Sequence, residues 1–255
     1  MDARHAAYLE AMGVDVYVRR GPGAAATLAA APPRESALDP ARPGRSSPGA
    51  PTGPQGGGDA VASLDWESLR TTVAACERCE LHATRTQTVF GVGNRTARWM
   101  FIGEAPGADE DRLGEPFVGR AGQLLTSMLK ALGLPREEVY IANVLKCRPP
   151  GNRDPRPEEA RSCRGYLERQ IELVDPALIV AVGRIAAQNL LGTDAALAKL
   201  RGKVHGLGAT QRPLVVIYHP AYLLRSPGEK RKAWLDLLQA KQVFQRVERG
   251  DRVLP

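Results

Sequence analysis

The sequence predicts an α/β fold: a three-layer α/β/α sandwich around a four-stranded parallel sheet. Four short apolar runs, 98–102, 139–144, 177–182 and 214–218, read as buried strands, and helical patterns separate them. Such alternation calls for right-handed crossovers, and so for a parallel sheet covered on both faces. The runs also end alike, at Gly103-Glu104, Asn143, Gly183 and His219. Parallel sheets bind ligands beyond the carboxyl ends of their strands, so residues far apart in the chain are expected on one rim.

Residues 4–20 form a patterned island. Tyr8, Leu9 and Met12 share a helical face, Gly13 stops that helix, and Val14, Val16 and Val18 alternate like a strand. Residues 21–62 are dominated by Ala, Gly and Pro, carry almost no large apolar side chains, and read as a disordered linker. The island at 1–20 then reads as a tethered docking peptide. The alternative is that it packs on its own domain or stays unstructured.

The folded domain is expected over 63–248. A helix near 65–75 leads into Cys76-Glu77-Arg78-Cys79. The first strand follows and breaks at Gly103-Glu104-Ala105-Pro106-Gly107, a turn with little side-chain bulk, where a ligand can approach the backbone. Residues 108–119 read as a loop in which Asp109 and Asp111 are solvated charges. Leu124, Leu125, Met128, Leu129 and Leu132 have helical spacing, and Gly133 ends that helix. The second strand closes on Asn143. A stiff basic loop follows over 146–153, and Pro157 starts a helix to about 173. The third strand passes through Gly183 into a helix ending near 191. The fourth runs into His219-Pro220, and a last helix covers 229–248.

The 255-residue chain carries a formal charge of +7. The first 62 residues hold six basic and six acidic side chains, so the whole excess lies in the folded part. A basic domain suits a polyanionic partner, most often nucleic acid, although the same charge also supports solubility. No stretch approaches a membrane span and no secretory signal stands at the N-terminus, so a cytoplasmic, reduced setting is expected. Four cysteines there read as metal ligands rather than disulfides. Cys76-x-x-Cys79 is a strong half-site. With Cys147 and Cys163 it suits an all-cysteine zinc site or a [4Fe–4S] cluster, and spacing alone does not decide.

Four segments together resemble the family 4 uracil-DNA glycosylases. They are Gly103-Glu104-Ala105-Pro106-Gly107, Gly114-Glu115-Pro116-Phe117-Val118-Gly119-Arg120-Ala121-Gly122, Asn143-Val144-Leu145-Lys146-Cys147-Arg148-Pro149-Pro150 and His219-Pro220-Ala221-Tyr222-Leu223-Leu224-Arg225. The likeness covers roughly 64–245. It implies excision of uracil from single- or double-stranded DNA by a monomer with the fold of that family, and a [4Fe–4S] cluster on the four cysteines. The uninterrupted Lys-Cys-Arg-Pro-Pro loop argues against the branch of the superfamily that traps DNA covalently. The island at 4–20 also resembles the N-terminal peptide of the psi subunit of the bacterial replicative clamp loader, which implies a clamp-loader or other replication partner.

The resemblance assigns roles. His219 stabilises the leaving uracil anion. Asn143 pairs with uracil N3–H and O4, which cytosine presents with reversed polarity. Phe117 stacks on the base and Gly103 leaves room beside it. Glu104 positions water or supports the oxocarbenium, because the Asp that family 1 enzymes carry is replaced here by Ala105. Glu110 stands where family 1 uses a Tyr to exclude the thymine methyl. Leu223 is the wedge that fills the vacated stack, with Tyr222 and Leu224 anchoring its loop. Arg225, Arg148, Arg153 and Lys146 contact phosphates. Two other readings compete. A metal-stapled DNA-binding module would not need Glu104, Asn143 and His219 on one rim. A phosphate-ester enzyme would be expected to show a P-loop or a paired acidic metal site.

Overall fold

A computed structural model describes residues 61–254. The expected docking peptide at 1–20 and nearly all of the linker lie outside the described residues. The described residues start slightly before the expected boundary, and Val61 is buried against the first helix.

Helix α1, Trp66–Ala74, starts where the Asp65 carboxylate accepts from Ser68 N–H at 2.8 Å. Strand β1 is the two-residue Val92–Gly93, and β2 is Trp99–Gly103. Helices α2, Ala108–Leu113, and α3, Arg120–Leu132, precede β3, Tyr140–Asn143. Helix α4, Pro157–Val174, leads to β4, Leu178–Val182, and α5, Arg184–Leu191. Helix α6, Leu197–Leu200, then precedes β5, Val204–Leu207, and β6, Arg212–Ile217. Helices α7, Pro220–Arg225, and α8, Lys230–Glu248, close the domain.

The sheet order is β1-β3-β2-β4-β6-β5. Its middle four strands are parallel, as the alternation requires. The expected four-stranded sheet is nevertheless six-stranded, because β1 and β5 add antiparallel edges. Neither edge has an apolar run: β1 has two residues and β5 is only half-buried. Alternate residues of the central strands face opposite layers. Phe101, Ile141, Val180 and Val215 pack with α3 and α8, while Met100, Ala142, Ile179 and Val216 pack with α4 and α5. A third cluster joins α1 to Leu145, Cys147, Cys163 and Tyr166.

The segment 108–119 corrects the sequence reading twice. It contains α2, and Asp111 is buried rather than solvated, accepting from Thr86 N–H through both oxygens at 2.9 and 3.0 Å. Among the described residues no helix is long and apolar enough to cross a membrane.

Candidate active site

The carboxyl ends of the parallel strands open onto one cleft of about 790 Å³. Gly103 ends β2 directly beside Asn143, its register partner at the end of β3. Gly183 follows β4 and donates its N–H to Ile217 O at 2.9 Å, which brings β4 against the run into His219. Gly183 has φ +94°, and a Cβ there would lie 2.9 Å from His219 Cβ. Only glycine serves both the backbone and the imidazole at that point. Glu104, Phe117, Asn143 and His219 therefore line the same cleft, together with Glu110 and Arg225.

Asn143 is buried, and its Oδ1 has no hydrogen-bond partner. An orphaned buried acceptor is costly, and a ligand donor can satisfy it. Gly103 keeps the space beside it open. A Cβ on Gly103 would lie 2.5 Å from Asn143 Oδ1 and 2.6 Å from Phe117 Cζ. Phe117 adopts φ +55°, and its ring centroid lies 5.7 Å from that of His219, tilted by 32°. Helix α3 seats against its backbone because residue 122 is glycine; a Cβ there would lie 1.8 Å from Phe117 O.

His219 accepts from Ala221 N–H through Nδ1 at 3.1 Å. That contact places the ring proton of a neutral imidazole on Nε2. Burial, with Arg225 next, lowers the imidazole to about 4, so the ring is neutral near pH 7 and Nε2–H is a donor. Glu104 is raised to about 7, first by burial and then by Asp154, with Arg184 opposing. Asp154 and Arg184 pair at 2.6 Å and line the same cleft.

Glu110 lines the cleft but its carboxylate is largely committed. Oε2 accepts from Gly107 N–H at 3.1 Å, and Oε1 accepts from Val118 and Gly119 N–H at 3.0 Å each. The carboxylate thus joins both ends of the 107–119 loop.

The structure corrects two of the DNA contacts expected from sequence, Lys146 and Leu223. Lys146 is fully buried, and its ammonium donates to Asn143 O at 2.8 Å and Gln170 Oε1 at 2.6 Å, so it cannot reach a phosphate. Arg153 lines the cleft and holds buried Glu159 in a bidentate pair at 2.9 and 2.5 Å. Leu223 is 1% exposed in the core with α3 and α8, so it anchors the helix instead of projecting as a wedge. The exposed apolar side chains of α7 are Tyr222 and Leu224, each 37% accessible. Arg225 is exposed at the cleft, whereas Arg148 donates to Asn152 Oδ1 at 2.7 Å and does not line it. Sequence spacing gave no sign of α7's rotation, which decides among residues 222 to 224.

Cys76 and Cys79 are half-buried, while Cys147 and Cys163 are buried. Among the described residues no three or more His, Cys, Asp or Glu side chains stand as a closed metal-ligand group. The thiols of Cys79, Cys147 and Cys163 all have raised pKa values, and neighbouring thiols contribute to each. Cys76 acts on the other three, and burial is the largest effect, pushing Cys163 to about 12. Two N–H groups already point at sulfur: Arg85 Nη1 lies 3.2 Å from Cys147 Sγ, and Lys146 N lies 3.3 Å from Cys163 Sγ. Four soft donors, two of them with N–H partners, beside a buried ammonium fit a multi-thiolate iron–sulfur group in kind.

The family model described as the uracil DNA glycosylase superfamily matches residues 90–239. The type-4 uracil-DNA glycosylase of Archaeoglobus fulgidus is 51% identical over 173 residues, covering 66% of this chain and 86% of that protein. That of Thermotoga maritima is 43% identical over 185 residues, 71% of this chain and 95% of its own length. A type-5 uracil-DNA glycosylase of Thermus thermophilus is more distant, 30% identical over 217 residues, 71% of this chain and 99% of its own.

Proposed function

Because the chain belongs to the type-4 uracil-DNA glycosylases, we propose that it extrudes uracil from DNA and hydrolyses its N-glycosidic bond, leaving an abasic site for repair. The observation that carries this reading is the buried, unpartnered Oδ1 of Asn143 in a cleft it shares with a neutral, donor-bearing His219.

The extruded base stacks on Phe117. Asn143 Oδ1 accepts from uracil N3–H, and its amide N–H donates to O4. Cytosine offers an acceptor at N3 and donors at C4, so it leaves both groups of Asn143 mismatched. His219 Nε2–H donates to O2, where negative charge grows as the C1′–N1 bond breaks. A neutral donor is suited to that work, because it stabilises the charge without giving up a proton. Water adds to C1′ and loses a proton, while uracil departs as the N1 anion. Glu104, ionised above about pH 7 and lining the same cleft, supports the oxocarbenium or the incoming water.

Cys76, Cys79, Cys147 and Cys163 would hold a [4Fe–4S] cluster, whose role is structural cross-linking. The cysteines join the end of α1 to the loop after β3 and to α4. Buried thiols with raised pKa values bind only as thiolates, so loading releases protons and stabilises the fold. The bound partner is uracil-containing DNA, and residues 4–20 are a tether to replication proteins that excision itself does not need.

The test is a uracil-bearing oligonucleotide treated with alkali after incubation. Wild-type protein with its metal site filled should yield strand breaks. His219→Ala should slow excision by about 10²- to 10³-fold, the usual loss for one transition-state donor. Removing residues 1–60 should leave the rate on short DNA unchanged. Intact DNA after incubation with wild-type protein would remove the reading, and stoichiometric zinc in a colourless protein would remove the cluster.

A further inference from the structure

We propose that Tyr222, backed by Tyr218, is a stacking platform for the nucleobase adjacent to the extruded uracil, an inference that rests on the excision reading above. The two rings stack with centroids 5.1 Å apart at 29°. Both residues line the cleft. Tyr218 is fixed from two directions. The Arg201 guanidinium lies 3.8 Å from its ring centroid, and the Glu229 carboxylate stands close enough to its hydroxyl to act on it electrostatically. Arg201 is itself held by buried Asp236 at 2.7 Å, and Glu229 by Lys232 at 2.8 Å. Side chains from the α6–β5 connection and from α8 with its N-cap thus hold the inner ring.

The outer ring is different. Tyr222 is 37% exposed, as is Leu224 two residues on, and these are two of the four exposed large hydrophobics among the described residues. An aromatic ring left open over such a rigid base has already lost the freedom that binding would otherwise cost. Its surroundings select the ligand. The DNA strand does not end at the base buried in the cleft; it continues past the rim, and Tyr222 and Arg225 of α7 stand on that rim. Arg225 is exposed there and complements the phosphates. A flat π-face next to a backbone cation, continuous with a base pocket, is the pattern by which unpaired bases are held without sequence preference.

The experiment uses the full chain and a single-stranded oligonucleotide carrying 2′-fluoro-2′-deoxyuridine, which resists excision, with 2-aminopurine as its 5′ or 3′ neighbour. Wild-type binding should quench the emission of one of the two probes. Tyr222→Ala should abolish that quench and weaken binding by about 5- to 150-fold, the range for loss of one base–aromatic stack. Tyr222→Phe and Tyr222→Trp should keep both. Equal quenching by Tyr222→Ala would overturn the platform, and so would an equal loss in Tyr222→Phe, which would point to the hydroxyl. A parallel assay on unmodified uracil DNA separates the two levels. If wild type fails to cut it, the excision reading falls and takes this inference with it. If wild type cuts and Tyr222→Ala matches it in quench and affinity, only the platform falls.

Discussion

Gly103→Ala is the sharpest perturbation the uracil slot allows. Gly103 has no left-handed backbone, so the methyl's effect is one of contact alone. The added Cβ would lie 2.5 Å from Asn143 Oδ1, and must gain about 0.9 Å to reach the 3.4 Å of ordinary contact. On its other side it would lie 2.6 Å from Phe117 Cζ and 2.7 Å from Cε2. Neither neighbour can give way freely. Asn143 is buried, with its carbonyl on Lys146, and the backbone of Phe117 is wedged against Gly122. The methyl also occupies the space in which the base would lie. Displacements of about 1 Å in a reacting geometry cost roughly 10²-fold. Overpacking of this kind destabilises by about 1–3 kcal/mol. We therefore expect kcat/KM for uracil excision to fall at least about 10²-fold, with stability lowered only by that modest amount. Single-turnover excision and equilibrium unfolding measure the two sides separately. Excision within a factor of about three of wild type would refute the slot geometry, since no such room could then exist.

Glu104 predicts a pH signature. Its folded carboxyl keeps a proton from about 4.5 to about 7 that the unfolded chain has released, so stability falls as pH rises through that window. Glu104→Gln should raise the unfolding midpoint above the window and leave it unchanged below; equal effects at both ends would count against a raised pKa. Wild-type excision should rise as pH passes about 7, and a rate flat across that range would remove Glu104 from the chemistry. Leu223→Ala should cost about 2–5 kcal/mol in stability, whereas Leu224→Ala should leave stability nearly intact and slow excision from duplex more than from single strands; the reverse pattern would restore Leu223 as the wedge. Lys146→Met should lower uracil affinity in excision assays while leaving the salt dependence of DNA binding as it was. A shallower salt slope would show that Lys146 meets a phosphate after all.

The strand-end logic was legible because it is a property of topology. Four apolar runs define four parallel strands, and their ends must meet, so Glu104, Asn143, Gly183 and His219 could be placed on one rim from the order of elements alone. What failed to show was rotation and depth. Leu223 and Leu224 are neighbours in a six-residue helix, and only the packing of α7 on α3 and α8 decides which turns inward. Lys146 reads as a phosphate ligand in a basic loop, yet it is buried because Gln170, 24 residues away, supplies an acceptor from α4. Asp111 misled for the same reason: its partner, Thr86, lies in a segment with no regular pattern. The edges β1 and β5 were missed because short strands with little burial carry too few side chains to establish a period.

The three hydrogen bonds that Glu110 accepts from backbone N–H groups have a kinetic meaning. A wall whose two ends are latched to one side chain is finished before any substrate arrives, so nothing has to fold over the base once it enters. Such a site meets the extruded base as a finished mould, and the step left to limit the rate is opening of the pair. Pairs that open readily, such as uracil opposite guanine, should then be processed ahead of uracil opposite adenine.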